Sequence, residues 1–248
     1  MTQEVMTPAA PLLNVRRLLL IGTGSVSALD LPGWLGWLSA THPDLETQVV
    51  LTRSAERFVT LQAVTGITGR VALRDSWPDE PTVSVRHVEL GEWAEAVVVY
   101  PATLAFTARF AQGLADSPAL LTAQCTRVPV GLAPALPPGG AGSHAYRMHT
   151  EALKARPNVV VLPPVPGRSQ TTGRMDSWAP GMLPDLLIRL ERCRVARAGA
   201  GVGAGTGAET EARTGAEART GAETRTGAET ETETRTGAEA GTRGRRPL

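Results

Sequence analysis

The sequence predicts one doubly wound α/β domain with a mostly parallel sheet, followed by a disordered C-terminal repeat tail. Three observations predict it. Short unbroken apolar runs recur along the chain, as at Leu18–Ile21, Ala96–Tyr100 and Val159–Leu162. Strands of a parallel sheet read this way because helices cover both faces. These runs alternate with segments whose apolar residues fall at helical spacing, the pattern of repeated βαβ units. From about Ala196 large apolar residues almost vanish, and a degenerate TGAE repeat takes over. Such a segment buries too little surface to offset the entropy of ordering it.

The expected division is a flexible leader at 1–14, a folded domain at 15–195 and the repeat tail at 196–248. The net charge of +1 gives no electrostatic footprint for nucleic acid. Charges in the tail alternate in sign and largely cancel, which suits a solvated coil. The two cysteines, Cys125 and Cys193, stand far apart without metal-ligand spacing, so neither a disulfide framework nor a metal site is expected, and a reducing cytoplasm is the default. The apolar run after Arg16 and Arg17 has the length of a strand, too short for a signal peptide or a membrane span.

In order, Leu18–Ile21 reads as the first strand, and the turn Gly22-Thr23-Gly24-Ser25-Val26-Ser27-Ala28 follows it. A helix then carries Leu31, Trp34, Leu35 and Leu38, with Pro32 in its first turn. Thr47–Thr52 is the second strand. The next helix is expected to start at Arg53-Ser54-Ala55, with Ser54 as its cap, and to run through Phe58, Leu61 and Val64. Residues 65–82 read as loop and Val83–Val85 as a short strand before His87. Ala96–Tyr100 is the third long strand, and Thr103–Leu114 a helix with Leu104, Phe110 and Leu114 inward. Val128–Leu132 is a strand, Pro134–Gly142 a loop, 143–155 a helix and Val159–Leu162 a strand. Gly167–Pro180 reads as a polar loop and Leu183–Leu190 as the last helix. Cys125 reads as a core or strand-edge thiol.

Chemistry concentrates at three strand ends. The first turn lacks the third glycine of a dinucleotide fingerprint, because Ser27 holds that position. It still offers backbone N–H groups and the Thr23 and Ser25 hydroxyls to a phosphate. The second strand ends in Thr52 and Ser54, the third in Pro101, Ala102 and Thr103. Each turn alone also fits an ordinary strand-to-helix connection. Together they line the carboxyl edge of the sheet, where open α/β sheets hold ligands. His87 is the histidine nearest these ends and the candidate general base, with a structural or exposed histidine as the plainer alternative.

In this order TGS, TRSAERFV, a histidine before the third long strand, PAT, GLAD, PAL and TTGRM resemble the homo-oligomeric flavin-containing cysteine decarboxylases over about Leu18 to Leu190. That family includes peptidyl-cysteine decarboxylases of lantibiotic-type peptide biosynthesis and phosphopantothenoylcysteine decarboxylase. The resemblance implies a Rossmann-like fold, assembly into homotrimers or homododecamers, and a flavin between subunits. FMN is implied as the cofactor, while the residues themselves leave FMN and FAD both open. His87 matches the family's catalytic histidine. Gly24, Ser25, Thr52, Ser54, Phe58, Ala102 and Thr103 fall at cofactor-binding positions. Ala105, Pro134, Leu136, Thr172, Gly173 and Arg174 fall at substrate-binding positions, the last three on a flap. Asp116 matches an acid that shapes the site.

Two departures stand out. Ala105 replaces an asparagine, and Pro134-Ala135-Leu136-Pro137 replaces a motif that grips the substrate carboxylate. The flap carries no cysteine, whereas the coenzyme A branch uses one to re-reduce its product. The implied reaction is therefore oxidative decarboxylation of the C-terminal cysteine of a ribosomally made precursor peptide to an aminoenethiol. The partner is that peptide, with no nucleic acid or membrane. Two alternatives stay open: a flavin-binding subunit without turnover, and a phosphopantothenoylcysteine decarboxylase-like enzyme.

Overall fold

The structure is a computed structural model that describes residues 10–199. Most of the expected leader and nearly all of the repeat tail lie outside the described residues. The strands are β1 (Arg17–Gly22), β2 (Glu46–Leu51), β3 (Leu73–Arg74), β4 (Ala96–Thr103), β5 (Val130–Ala135), β6 (Val159–Val161), β7 (Val165–Gly167) and β8 (Ser177–Ala179). The helices are α1 (Leu31–Thr41), α2 (Leu61–Thr68), α3 (Arg86–Trp93), α4 (Leu104–Ala111), α5 (Pro118–Cys125) and α6 (His144–Lys154). A last helix, α7, occupies 183–199 and so passes the expected domain boundary at 195.

Six strands form one sheet in the order β3-β2-β1-β4-β5-β6, and every pair is parallel. This is the doubly wound Rossmann-like order, in which the chain switches direction across the sheet between β1 and β4. The strand period of two explains how both faces are filled. Leu18 and Leu20 of β1 join one apolar layer with Leu31, Leu35 and Leu186. Leu19 and Ile21 join the opposite layer with Phe106, Phe110 and Leu153. A strand buried on both sides has no polar face to alternate with, which is why its sequence is a continuous apolar run.

Several expected elements differ. The helix expected from Ser54 is broken. A short 3-10 turn covers Ala55–Arg57, Ser54 makes no capping bond, and Thr60 caps α2 by accepting from the Ala63 N–H at 3.1 Å. Val83–Val85 is not a strand; Val83 is fully exposed and Val85 is the residue before α3. Residues 65–82 are not all loop, since α2 continues to Thr68 and β3 follows. The strand after Cys125 extends to Ala135, shortening the expected 134–142 loop. Leu114 is 43% exposed rather than inward, because α4 ends at Ala111. Helix α5 was not expected, although Ser117 caps it and Pro118 starts it. It places Cys125 at an exposed helix end rather than in a core or strand edge. Residues 167–180 are not plain loop but belong to the antiparallel hairpin β7–β8.

The first described residues are tied down. Asn14 donates through its side chain to Glu191 of α7 at 3.1 Å, and the Pro11 carbonyl lies 2.9 Å from His42 Nε2. Among the described residues no helix is long and apolar enough to cross a membrane, and no cluster of acidic, histidine or cysteine side chains could hold a metal ion.

Candidate functional site

The topological switch puts the carboxyl ends of β1 and β4 side by side, and Thr23 joins them. Its hydroxyl donates to the Pro101 carbonyl at 2.7 Å and accepts from the Thr103 N–H at 2.9 Å. Thr23 is buried, so the expected role of its hydroxyl as a phosphate donor does not hold; its proton is committed to Pro101. The β2 end closes on the same place. Thr52 donates its N–H to the Gly22 carbonyl at 2.9 Å. Gly24 lies so close to Ser54 that a Cβ on Gly24 would stand 2.3 Å from the Ser54 Cβ. Only glycine allows two turns to meet this closely, because any side chain would overlap the facing backbone.

Four hydroxyls remain around this junction. Ser25 Oγ accepts from Ser27 N–H, Thr52 Oγ1 from Ala55 N–H and Thr103 Oγ1 from Phe106 N–H, each at 3.3 Å. Ser54 has no hydrogen-bond partner among the described residues. None of the four donates its own proton within the described chain. A set of uncommitted O–H donors at a strand-end crevice fits a phosphorylated cofactor rich in acceptor oxygens, as FMN is. Ala102 is fully buried beneath the β4 turn, and half-buried Phe58 packs on the core beside the β2 turn.

β5 continues the edge. Ala102 pairs in register with Pro134, and Thr103 with Ala135. Pro134 and Leu136 are both buried, and Leu136 exchanges backbone hydrogen bonds with Trp178 of β8 at 2.9 and 3.0 Å. Leu136 thus anchors the hairpin to the end of β5. Ala105 is exposed in the first turn of α4. Thr172, Gly173 and Arg174 sit at the exposed tip between β7 and β8. There Gly173 adopts φ +70°, and Arg174 pairs with Asp176 at 2.9 Å. Asp116 is exposed on the loop after α4, where its ion pair with Arg109 lowers its carboxyl pKa.

His87 lies in the first turn of α3, preceded by coil rather than by a strand. Helices of this fold run antiparallel to the strands they lead into, so that turn sits at the carboxyl edge of the sheet. Hydrogen bonds fix it there. The Arg86 guanidinium donates to the carbonyls of Arg74, at the end of β3, and Ser76, at 3.3 and 3.0 Å. Thr122 Oγ1 of α5 donates to its own helix at the Pro118 carbonyl, at 2.8 Å, and also lies 3.3 Å from the His87 carbonyl. Asp75 accepts from the Ala119 N–H at 2.9 Å, joining the same segment to α5. The His87 ring meets Trp77 edge to face, with centroids 5.8 Å apart and planes at 82°. Nδ1 is buried without a partner, while Nε2 forms no hydrogen bond among the described residues and is not enclosed. Trp77, Asp75 and Thr122 were not singled out from the sequence. The signal for α5 is present in Ser117-Pro118; Trp77 lies in the segment 65–82, expected as loop on its TG and WP pairs.

Two cavities lie elsewhere. One of about 320 Å³ is lined by Tyr146, Thr150 and Trp178, and one of about 480 Å³ by Arg189, Arg192 and Cys193. Neither touches the three turns or His87.

Comparison with known proteins gives consistent matches. The sequence profile of the family described as Flavoprotein matches residues 8–180. A protein of Streptomyces sp, named cypemycin cysteine dehydrogenase (decarboxylating), is 35% identical over 174 residues, covering 69% of this chain and 88% of that one. The crystal structure of the cypemycin decarboxylase CypD superposes with a TM-score of 0.63 at 31% identity, over 76% of this chain and 98% of the other. The structure of SpaF, described among FMN-dependent cysteine decarboxylases, superposes with a TM-score of 0.58 at 26% identity, over 70% and 96%.

Proposed function

The chain belongs to the Flavoprotein family, and on that footing we propose that it is an FMN-dependent decarboxylase acting on the C-terminal cysteine of a ribosomally made precursor peptide. One observation carries the reading: Thr23 locks the β1 and β4 turns together while four neighbouring hydroxyls keep their protons free. Ser25, Thr52, Ser54 and Thr103 would hold the cofactor by donating to its acceptor oxygens. Gly24 and Ala102 keep the turns close, and Phe58 walls the β2 side. The bound flavin supplies a two-electron acceptor for oxidation of the substrate cysteine.

The residues of the chain do the rest. His87 presents the open Nε2 at the sheet edge, where it takes and returns a proton as the peptide loses CO2 and two hydrogens. Arg174, one of two arginines on the hairpin tip with Arg168, is 73% exposed at its side chain and pairs with Asp176; it would exchange that partner for the carboxylate that leaves. Ala105 offers no polar group, so the peptide is held by its carboxylate and by the hairpin rather than by an amide on α4. The aminoenethiol product follows from the balance: a terminal cysteine minus CO2, two electrons and two protons.

Homo-oligomeric assembly is part of the proposal. Exposed Val83, Val85 and Val88 lie on the segment around His87 and suit burial against a second copy. A reducing cytoplasm suits the free thiols of Cys125 and Cys193. A second reading, flavin binding without turnover, is favoured by Ala105 alone. The test is direct: the purified protein should be yellow and release FMN on denaturation. A colourless protein that takes up neither FMN nor FAD would overturn the proposal.

A further inference from the structure

Building on the assignment of His87 as the proton-transfer group, we propose that Trp77 is a positioning residue, which fixes the His87 imidazole and leaves Nε2 as the ring nitrogen open to the reaction. An imidazole that moves protons is ordinarily oriented through its second nitrogen by a carboxylate or a carbonyl. Here Nδ1 is buried and bonds to nothing among the described residues. The backbone of His87 is held in the first turn of α3 and by Arg86 beside it, with Thr122 Oγ1 a longer contact at its carbonyl. Backbone restraint leaves the side-chain torsions free. The aromatic contact with Trp77, at 5.8 Å and 82°, restrains them.

The segment Arg74–Trp77 works as a collar. The Arg74 and Ser76 carbonyls take the Arg86 guanidinium, Asp75 takes the Ala119 N–H, and Trp77 takes the ring. Trp77 remains 42% exposed, so its bulk is not needed to fill the core. Edge-to-face packing sets ring orientation without exchanging a proton, and any aromatic ring of sufficient reach supplies it. Aromatic and aliphatic replacements of Trp77 should therefore behave differently.

The experiment uses the full-length holoenzyme carrying Trp77→Phe, Trp77→Ala or His87→Gln. Diethyl pyrocarbonate modification of each histidine is followed by peptide mass spectrometry, with His42, His144 and His149 as internal references. In Trp77→Ala the His87 rate should rise about threefold or more relative to the references, and kcat should fall about tenfold with KM within about twofold. Trp77→Phe should stay within about twofold of the parent in both measurements. An unchanged His87 rate in Trp77→Ala, or equal damage from Phe and Ala, would overturn the proposal. His87→Gln with undiminished turnover would instead remove the role of His87, while the modification rates would still report on the ring contact.

Discussion

Thr23 accepts a hydrogen bond from the Thr103 N–H at 2.9 Å and returns one to the Pro101 carbonyl at 2.7 Å. Two strands adjacent in the sheet but 78 residues apart in sequence thereby share one buried hydroxyl at the point where the fold reverses. The crevice between them is set by that bond and not by either turn alone.

Thr23→Val keeps the shape of the side chain and removes both bonds, leaving a part-buried N–H and a buried carbonyl unpaired. It should destabilise the protein by about 1–3 kcal/mol and lower its FMN content. Thr23→Ser should retain most of both. Urea denaturation and the flavin-to-protein absorbance ratio measure the two effects.

Gly24→Ala introduces a Cβ at 2.3 Å from the Ser54 Cβ and 2.9 Å from its carbonyl carbon. The backbone must yield, at a cost of about 1–3 kcal/mol. Because the displaced group is the turn that carries Ser54, FMN affinity should fall by about tenfold or more, equivalent to about 1.4 kcal/mol. Titration of the apoprotein with FMN checks it.

His87→Gln should lower kcat by about a hundredfold or more, the usual contribution of a positioned acid or base. FMN content and thermal midpoint should hold, since the His87 ring nitrogens make no hydrogen bond within the described chain. Steady-state kinetics beside the absorption spectrum separates the outcomes.

Acid should loosen the attachment of the chain start to α7. The Arg194 hydrogen bond, helped by Asn14, lowers the pKa of the Glu191 carboxyl below the ordinary glutamate value. Its folded form binds a proton less readily than its unfolded form. The added stability is therefore complete above the unfolded pKa, near 4.5, and fades as pH falls through the lower folded value. Glu191→Gln should cost about 1–3 kcal/mol at neutral pH and flatten that acid limb. Thermal midpoints between pH 3 and 7 test it.

The strands were legible where burial on both faces forces an apolar run, as in Leu18–Ile21 and Ala96–Tyr100. Their alternation with helices was enough to give the fold. The order of the small and hydroxyl residues at three strand ends located the crevice, because topology alone brings those ends together. Other features were hidden. Val83 and Val85 alternate like a strand, yet they precede α3, and His87 sits on that helix. Hydroxyls cannot be sorted by role from sequence: Thr23, expected to face a phosphate, is a buried clamp, and Ser54, expected both to cap a helix and to meet the cofactor, makes no capping bond. Pro164 and Pro166 masked β7, whose three residues are too few to show a period. The collar of Arg74–Trp77 rests on carbonyls and one ring edge, and neither leaves a motif.

The most direct test is mass spectrometry of a synthetic peptide ending in cysteine, incubated with the FMN-loaded protein under air. The expected result is a loss of about 46 Da, CO2 plus two hydrogens, that disappears when the peptide ends in a C-terminal amide or when His87 is replaced by Gln. An unchanged mass across a series of such peptides, with flavin bound throughout, would contradict decarboxylation and leave a flavin-binding protein without turnover.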